Sequence, residues 1–161
     1  MKKQLTRNEV PSNEKWDLTH IYPDMQSWET DYEKLTKMIA ELKMFNDNIN
    51  SSKELLAFLN LDEVASFIYN RLAIYSGLKL DEDTRISESQ SLGDKVRGIG
   101  VSLHSATSFF TPFLLSWDKE KLEQYLSEEE QLDYFKKDLY EIYKYKEHTL
   151  SKEKEELLSE L

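Results

Sequence analysis

The sequence predicts an all-α protein, a multi-helix bundle or array of about six to eight helices behind an extended N-terminal arm. Three observations predict it. Apolar residues recur at spacings of three and four almost throughout, the period of one helix face. Only 4 Gly and 3 Pro punctuate the 161 residues. Polar cap signals of the Ser/Asn-x-x-Glu type open successive apolar stretches. Apolar residues make up 39% and aromatics 12%, too many for a disordered chain. A chain of this length buries roughly 68–70% of its unfolded surface, so one domain with a proper core is expected.

Residues 1–26 lack the helical period. Asn8 to Pro11, and Trp16-Asp17-Leu18-Thr19-His20-Ile21-Tyr22-Pro23, read as an arm whose Trp16, Leu18, Ile21 and Tyr22 pack onto the rest. Ser27, or Asp24, can cap a first helix running to about residue 45. Its face is Trp28, Tyr32, Leu35, Ile39 and Leu42, ended by Asn46-Asp47-Asn48. Ser51-x-x-Glu54 is a capping-box pattern that opens a short helix to Leu59. Asn60-x-x-Glu63 repeats the signal and opens a longer helix to about Leu80.

That longer helix carries two apolar faces, Val64/Ile68/Leu72/Tyr75 and Phe67/Ile74/Leu78. A helix apolar on both sides is buried between neighbours, which makes it the expected centre of the fold. Asp81-Glu82-Asp83-Thr84 is a polar connector, with Thr84 or Asp83 as the next cap. The following helix reaches about Phe110 along Leu92, Val96, Ile99, Leu103 and Ala106. Thr111-Pro112 fits an N-cap followed by proline at the first helical position. Asp118 to Leu126 is a further short helix. Ser127-x-x-Glu130 is a third capping box, with Leu132, Phe135, Leu139 and Ile142 carrying its helix to about Lys146.

Ser151 can cap a last helix, whose stripe Leu157, Leu158, Leu161 meets no stop signal. It reads as a helix cut short by the chain end, with an apolar side that wants a partner. The expected layout is therefore an arm at 1–26, a helical N-terminal domain at 27–150 and the start of a truncated helix at 151–161.

The charge balance excludes several roles. The 31 acidic against 21 basic residues leave a formal charge of −10. Nucleic-acid affinity comes mainly from Lys and Arg displacing counterions, so such a surface repels phosphate backbones. It disfavours anionic membranes for the same reason. Neither nucleic acid nor membrane is an expected partner. The absence of cysteine excludes disulfides, a thiolate nucleophile and cysteine-ligated zinc. Met1-Lys2-Lys3-Gln4-Leu5 lacks the apolar run of a signal peptide, and Phe113-Leu114-Leu115 is far short of a membrane span. The cytoplasm is the expected location.

The motifs for chemistry are incomplete. His20, His104 and His148 are too far apart in sequence for any two to share a helix face, and HExxH is missing. His20 is expected on the arm's surface, His104 away from its helix's main stripe, and His148 after a helix C-terminus. Asp81-Glu82-Asp83 suggests calcium, but the sixth and twelfth loop positions hold Ile86 and Leu92 instead of Gly and Glu. Gly98-Ile99-Gly100 follows no strand and precedes no Gly-Lys-Ser/Thr, so Gly93, Gly98 and Gly100 are read as permitting close backbone packing or a local kink. Ser87, Ser89, Ser91, Ser102, Ser105 and Ser108 lack a nucleophile elbow. No catalytic, cofactor-binding or metal residue is assigned, and no cofactor is expected in this segment.

Four segments in order carry a family resemblance: Trp16-Asp17-Leu18 with Ile21-Tyr22-Pro23 and Trp28; Leu80-Asp81-Glu82-Asp83-Thr84; Ser105-Ala106-Thr107-Ser108-Phe109-Phe110 with Pro112; and His148-Thr149-Leu150-Ser151 before a Glu-rich stretch. Together they resemble the N-terminal region of the oligoendopeptidase F family, zinc metallopeptidases of the thimet-oligopeptidase clan. Gly98 and Gly100 stand where that family more often has helix formers, and the segment before the two-faced helix is short. The resemblance implies a cytoplasmic, mostly helical parent that hydrolyses internal bonds of short peptides. There an HExxH helix and a downstream glutamate hold a zinc that activates water. Those residues match nothing at positions 1–161, so no catalytic role carries over.

Two readings follow. In the first, the chain is the non-catalytic N-terminal helical domain of a zinc oligoendopeptidase, helping to wall the substrate channel. Its partners are then the parent's C-terminal catalytic part and, through the parent, oligopeptide substrates. Self-association would be an artefact of an uncovered stripe. The alternative is a stand-alone acidic helical protein-interaction module facing a basic partner. A third, an unrelated enzyme using scattered carboxylates and His104, has the least support.

Overall fold

The computed structural model describes residues 9–46 and 48–148, with backbone alone at 147 and 148. The expected helix from Ser151 lies outside them. Asp24 opens the first helix, its carboxylate accepting the Ser27 N–H at 2.7 Å. That helix, α1, spans Met25–Lys43 and buries Trp28, Leu35, Ile39 and Leu42 of the predicted stripe, leaves Tyr32 half-buried and adds Met38.

The capping box at Ser51 is present. The Glu54 N–H donates to Ser51 Oγ at 3.3 Å, and the Glu54 carboxylate accepts the Asn50 N–H at 2.7 Å and the Ser51 hydroxyl at 3.1 Å. The helix it opens, α2, does not stop at Leu59. It runs unbroken over Ser52–Glu82, so the cap expected at Asn60 is absent. Its buried positions Leu55, Phe58, Ala65, Ile68, Leu72 and Tyr75 keep one phase across residue 60. Without a break there are no orphaned first-turn N–H groups for Asn60 to cap.

A connector leads to α3, Ser87–Thr107, which buries Leu92, Val96, Ile99, Leu103 and Ala106. Asp83 does not cap this helix. Its carboxylate instead accepts the Arg85 backbone N–H at 3.0 Å and pairs with both arms of the Arg85 guanidinium. Next comes α4, Phe110–Ser116. Thr111 lies inside it instead of capping it, and Pro112 takes the third helical position. Proline is tolerated there because first-turn N–H groups have no intrahelical acceptor. Asp118 caps α5, Lys119–Glu128, through the Lys121 N–H at 2.7 Å.

Ser127 is not a cap either. It sits within α5 and donates its hydroxyl to the Gln124 carbonyl at 2.7 Å. Glu130–Phe135 then forms a 3-10 turn before α6, Lys136–Lys144. The spacing of Leu132 and Phe135 suits three residues per turn, and both are buried.

All regular structure among the described residues is helical. Five helices run nine residues or longer, and α4 adds a seven-residue piece. Full helices are thus fewer than the six to eight expected, because two of the expected ones fuse.

Two compact units divide the chain. The first holds the described residues up to Met44 and Asn60–Thr107, and within it α1 packs on α3. The second holds the described residues of 45–59 and of 108–148. Its core is aromatic. Phe58, fully buried, contacts the rings of Phe45, Phe109 and Phe110, and a further run links Phe109, Phe113, Trp117 and Tyr125. The Trp117 carbonyl accepts from Tyr143 Oη at 3.1 Å and from Lys146 Nζ.

Candidate interaction surface

In the first unit, the arm is held by a polar clasp. Tyr22, 2% exposed, donates its hydroxyl to Asp31 Oδ2 at 2.7 Å. Arg71 on α2 donates to the same oxygen at 3.3 Å and to the Ile21 carbonyl at 2.7 Å. The guanidinium also lies 4.6 Å from the Tyr22 ring centroid, and Tyr75 meets that ring edge-on at 5.5 Å. Burial, reinforced by the bond to Asp31, pushes the Tyr22 phenol well above its usual pKa. The clasp therefore holds a neutral phenol against a carboxylate–guanidinium pair, which is a fastening and not a proton-transfer device. Arg71 carried no local sequence signal, because the groups it binds lie 40 and 50 residues away. Leu18 is buried with Tyr22, but Trp16, expected to pack, is 56% exposed.

The packing of α2 and α3 depends on one glycine. A Cβ at Gly100 would lie 2.6 Å from Tyr69 Oη and 2.8 Å from Tyr69 Cε2, so the tyrosine ring occupies that space. At Gly77, Gly93 and Gly98 a Cβ would meet nothing within 4 Å, so the close packing read for all three α3 glycines holds for Gly100 alone.

The second apolar face of α2 is uncovered. On the first face Ile68, Leu72 and Tyr75 are buried but Val64 is 43% exposed; on the second Phe67 and Ile74 are 63% and 55% exposed and Leu78 is half-buried. The expectation of a helix buried on both sides is thus half right. Nothing among the described residues of the first unit packs over Phe67 and Ile74, so their area stays in contact with water. This surface is the candidate functional feature, because large apolar side chains aligned on one helix face mark interaction sites.

Among the described residues, groups able to do chemistry are not brought together. His20 is exposed and lies 3.6 Å from the Asp17 carboxylate, and His104 is exposed on α3. The side chain of His148 lies outside the described residues. Asp81 and Asp83 flank the end of α2, with Asp83 committed to Arg85, whose hydrogen bonds hold its pKa down to about 2. Among the described residues no three His, Cys, Asp or Glu side chains could hold a metal ion. A hollow on α5, lined by Lys119, Glu120, Glu123, Gln124 and Ser127, is wide open to solvent and has no buried reactive group. Among the described residues no helix is long and apolar enough to cross a membrane.

Fold and surface define a class: a helical segment with exposed apolar side chains along one helix, and no reaction centre assembled among its described residues. Comparison with known proteins is consistent with that class. Residues 114–161 match a family described as Oligopeptidase F. Over 155 residues the chain is 30% identical to Oligopeptidase PepF of Bacillus subtilis, covering 96% of this chain and 23% of that protein. It is 28% identical over 158 residues to a plasmid-encoded oligoendopeptidase F of Lactococcus lactis subsp. cremoris, covering 95% of this chain and 26% of that one. The crystal structure of oligoendopeptidase-F from Enterococcus faecium superposes with a TM-score of 0.71 at 22% identity, over 84% of this chain and 27% of that chain. A crystal structure from Chlamydophila abortus gives 0.79 at 22% identity, over 96% and 26%. The chain belongs to the oligoendopeptidase F family, in which it corresponds to the N-terminal region. It spans about a quarter of the length of the curated relatives it matches.

Proposed function

We propose that this chain is the non-catalytic N-terminal helical domain of a cytoplasmic oligoendopeptidase, in which it helps to wall the channel that takes up short peptides. One observation carries the reading: alignments to oligoendopeptidase F proteins run over about 95% of this chain but only about a quarter of theirs. The parent's zinc and the residues that use it then belong to the C-terminal part of the same polypeptide, which is this domain's principal partner. The described residues offer no cluster fitted to zinc, and no chemical step is assigned to them. In this reading the described part of the arm is fastened by the Tyr22–Asp31–Arg71 clasp.

The test uses the purified 161-residue chain, fluorogenic oligopeptides with added zinc, and elemental analysis. No cleavage above buffer and no stoichiometric zinc are expected. Zinc at one atom per chain together with peptide hydrolysis would overturn the reading. Sequencing the reading frame past Leu161 is an independent check, with a downstream HExxH motif as the expected result.

A further inference from the structure

We propose that the outward face of α2, formed by Val64, Phe67 and Ile74, is the surface on which the remaining three quarters of the parent polypeptide docks. The inference rests on the reading of this chain as an oligoendopeptidase N-terminal domain and adds the place of attachment. The three residues follow one another at spacings of three and seven, which keeps them on one side of the helix over roughly three turns. They are 43%, 63% and 55% exposed on a helix whose opposite side is fully packed. Gly77 continues the same line three residues beyond Ile74, exposed and with nothing within 4 Å of where a Cβ would stand.

A glycine inside an exposed helix is less favourable than alanine, because it loses more backbone freedom on folding. Large apolar groups left in water beside it cost more of the burial energy that folding otherwise gains. Both features fit a helix face that a neighbouring backbone approaches closely. The occupant follows from length: relatives of this chain are about four times as long, and it covers only 23–26% of them.

The chain has no cysteine, so a single introduced thiol reports one position. Phe67→Cys, Ile74→Cys and, as a control on exposed α1 surface, Glu33→Cys are made both in this chain and in the complete polypeptide. Maleimide labelling is followed by peptide mass spectrometry. In this chain all three label at similar rates. In the complete polypeptide, labelling at 67 and 74 slows at least tenfold, about 1.4 kcal/mol of protection, while position 33 is unchanged. Equal rates at 67 and 74 in both forms would overturn the inference and leave the peptidase reading intact. Slowing that appears in the isolated chain and grows with its concentration would assign the face to a second copy, and slowing only on adding oligopeptides would assign it to substrate; either overturns it. Zinc-dependent hydrolysis by the isolated chain would instead overturn the underlying reading.

Discussion

Gly98 and Gly100 lie two residues apart on α3, so the same substitution at both isolates the role of packing. Alanine at either position recovers up to about 1 kcal/mol of helix propensity. At Gly98 nothing opposes that gain, because no atom lies within 4 Å of the added methyl. At Gly100 the methyl would stand 2.6, 2.8 and 2.9 Å from three atoms of the Tyr69 ring end. Reaching an ordinary contact of about 3.5 Å requires the ring to retreat by roughly 0.6–0.9 Å. Overpacking of this kind costs about 1–3 kcal/mol. Gly98→Ala should therefore stabilise by about 1 kcal/mol, and Gly100→Ala should be neutral to destabilising by about 2 kcal/mol. Thermal unfolding by circular dichroism reads this as a rise of about 2–4 °C against no change or a fall of up to about 8 °C. In a Tyr69→Ala background the obstacle is gone, and Gly100→Ala should recover the gain seen at Gly98. Equal stabilisation by both substitutions in the natural background, or a difference that survives Tyr69→Ala, would refute the reasoning.

Three further outcomes are expected. Tyr22→Phe should cost about 1 kcal/mol in urea denaturation, with a coupling to Asp31→Ala of at least about 0.5 kcal/mol; an additive pair would show that the clasp is not a unit. Phe58→Ala removes a fully buried ring and should cost about 3–5 kcal/mol, whereas Phe67→Ala in this chain should stay within about 0.5 kcal/mol; the reverse order would contradict the burial of α2. Asp83 should titrate near pH 2 in carboxyl-detected NMR, because its side-chain and backbone hydrogen bonds from Arg85 favour the ionised form. Its folded pKa lies below its unfolded value, so its contribution to stability is complete above about pH 4. That contribution fades as the pH falls towards 2. Arg85→Ala should raise the midpoint, and an unchanged midpoint would remove Arg85 as the cause.

Local signals were legible wherever a side chain acts on its own backbone. Asp24, Ser51 and Asp118 cap helices because each oxygen reaches an N–H three residues on, a relation written within four residues. The same signal misled at Asn60 and Ser127. There the cap residues are present but lie inside continuing helices, and only the hydrogen-bond ladder decides whether first-turn donors are orphaned. The family was legible too, since four short segments in register carry it. Arg71 was missed because its partners, Asp31 and the Ile21 carbonyl, lie 40 and 50 residues away.

The sequence by itself determined the all-helical class, the buried stripes of α1 and α3, and the incompleteness of every catalytic motif. These follow from period, composition and spacing, which are properties of a few adjacent turns. Only the tertiary structure decided which of two apolar faces α2 buries, which glycine makes room for an aromatic ring, and how the arm is fastened. A helix period says that a face is apolar, but burial depends on whether another element arrives to cover it. On α2 one arrived at Ile68 and Leu72, and among the described residues of its unit none did at Phe67 and Ile74.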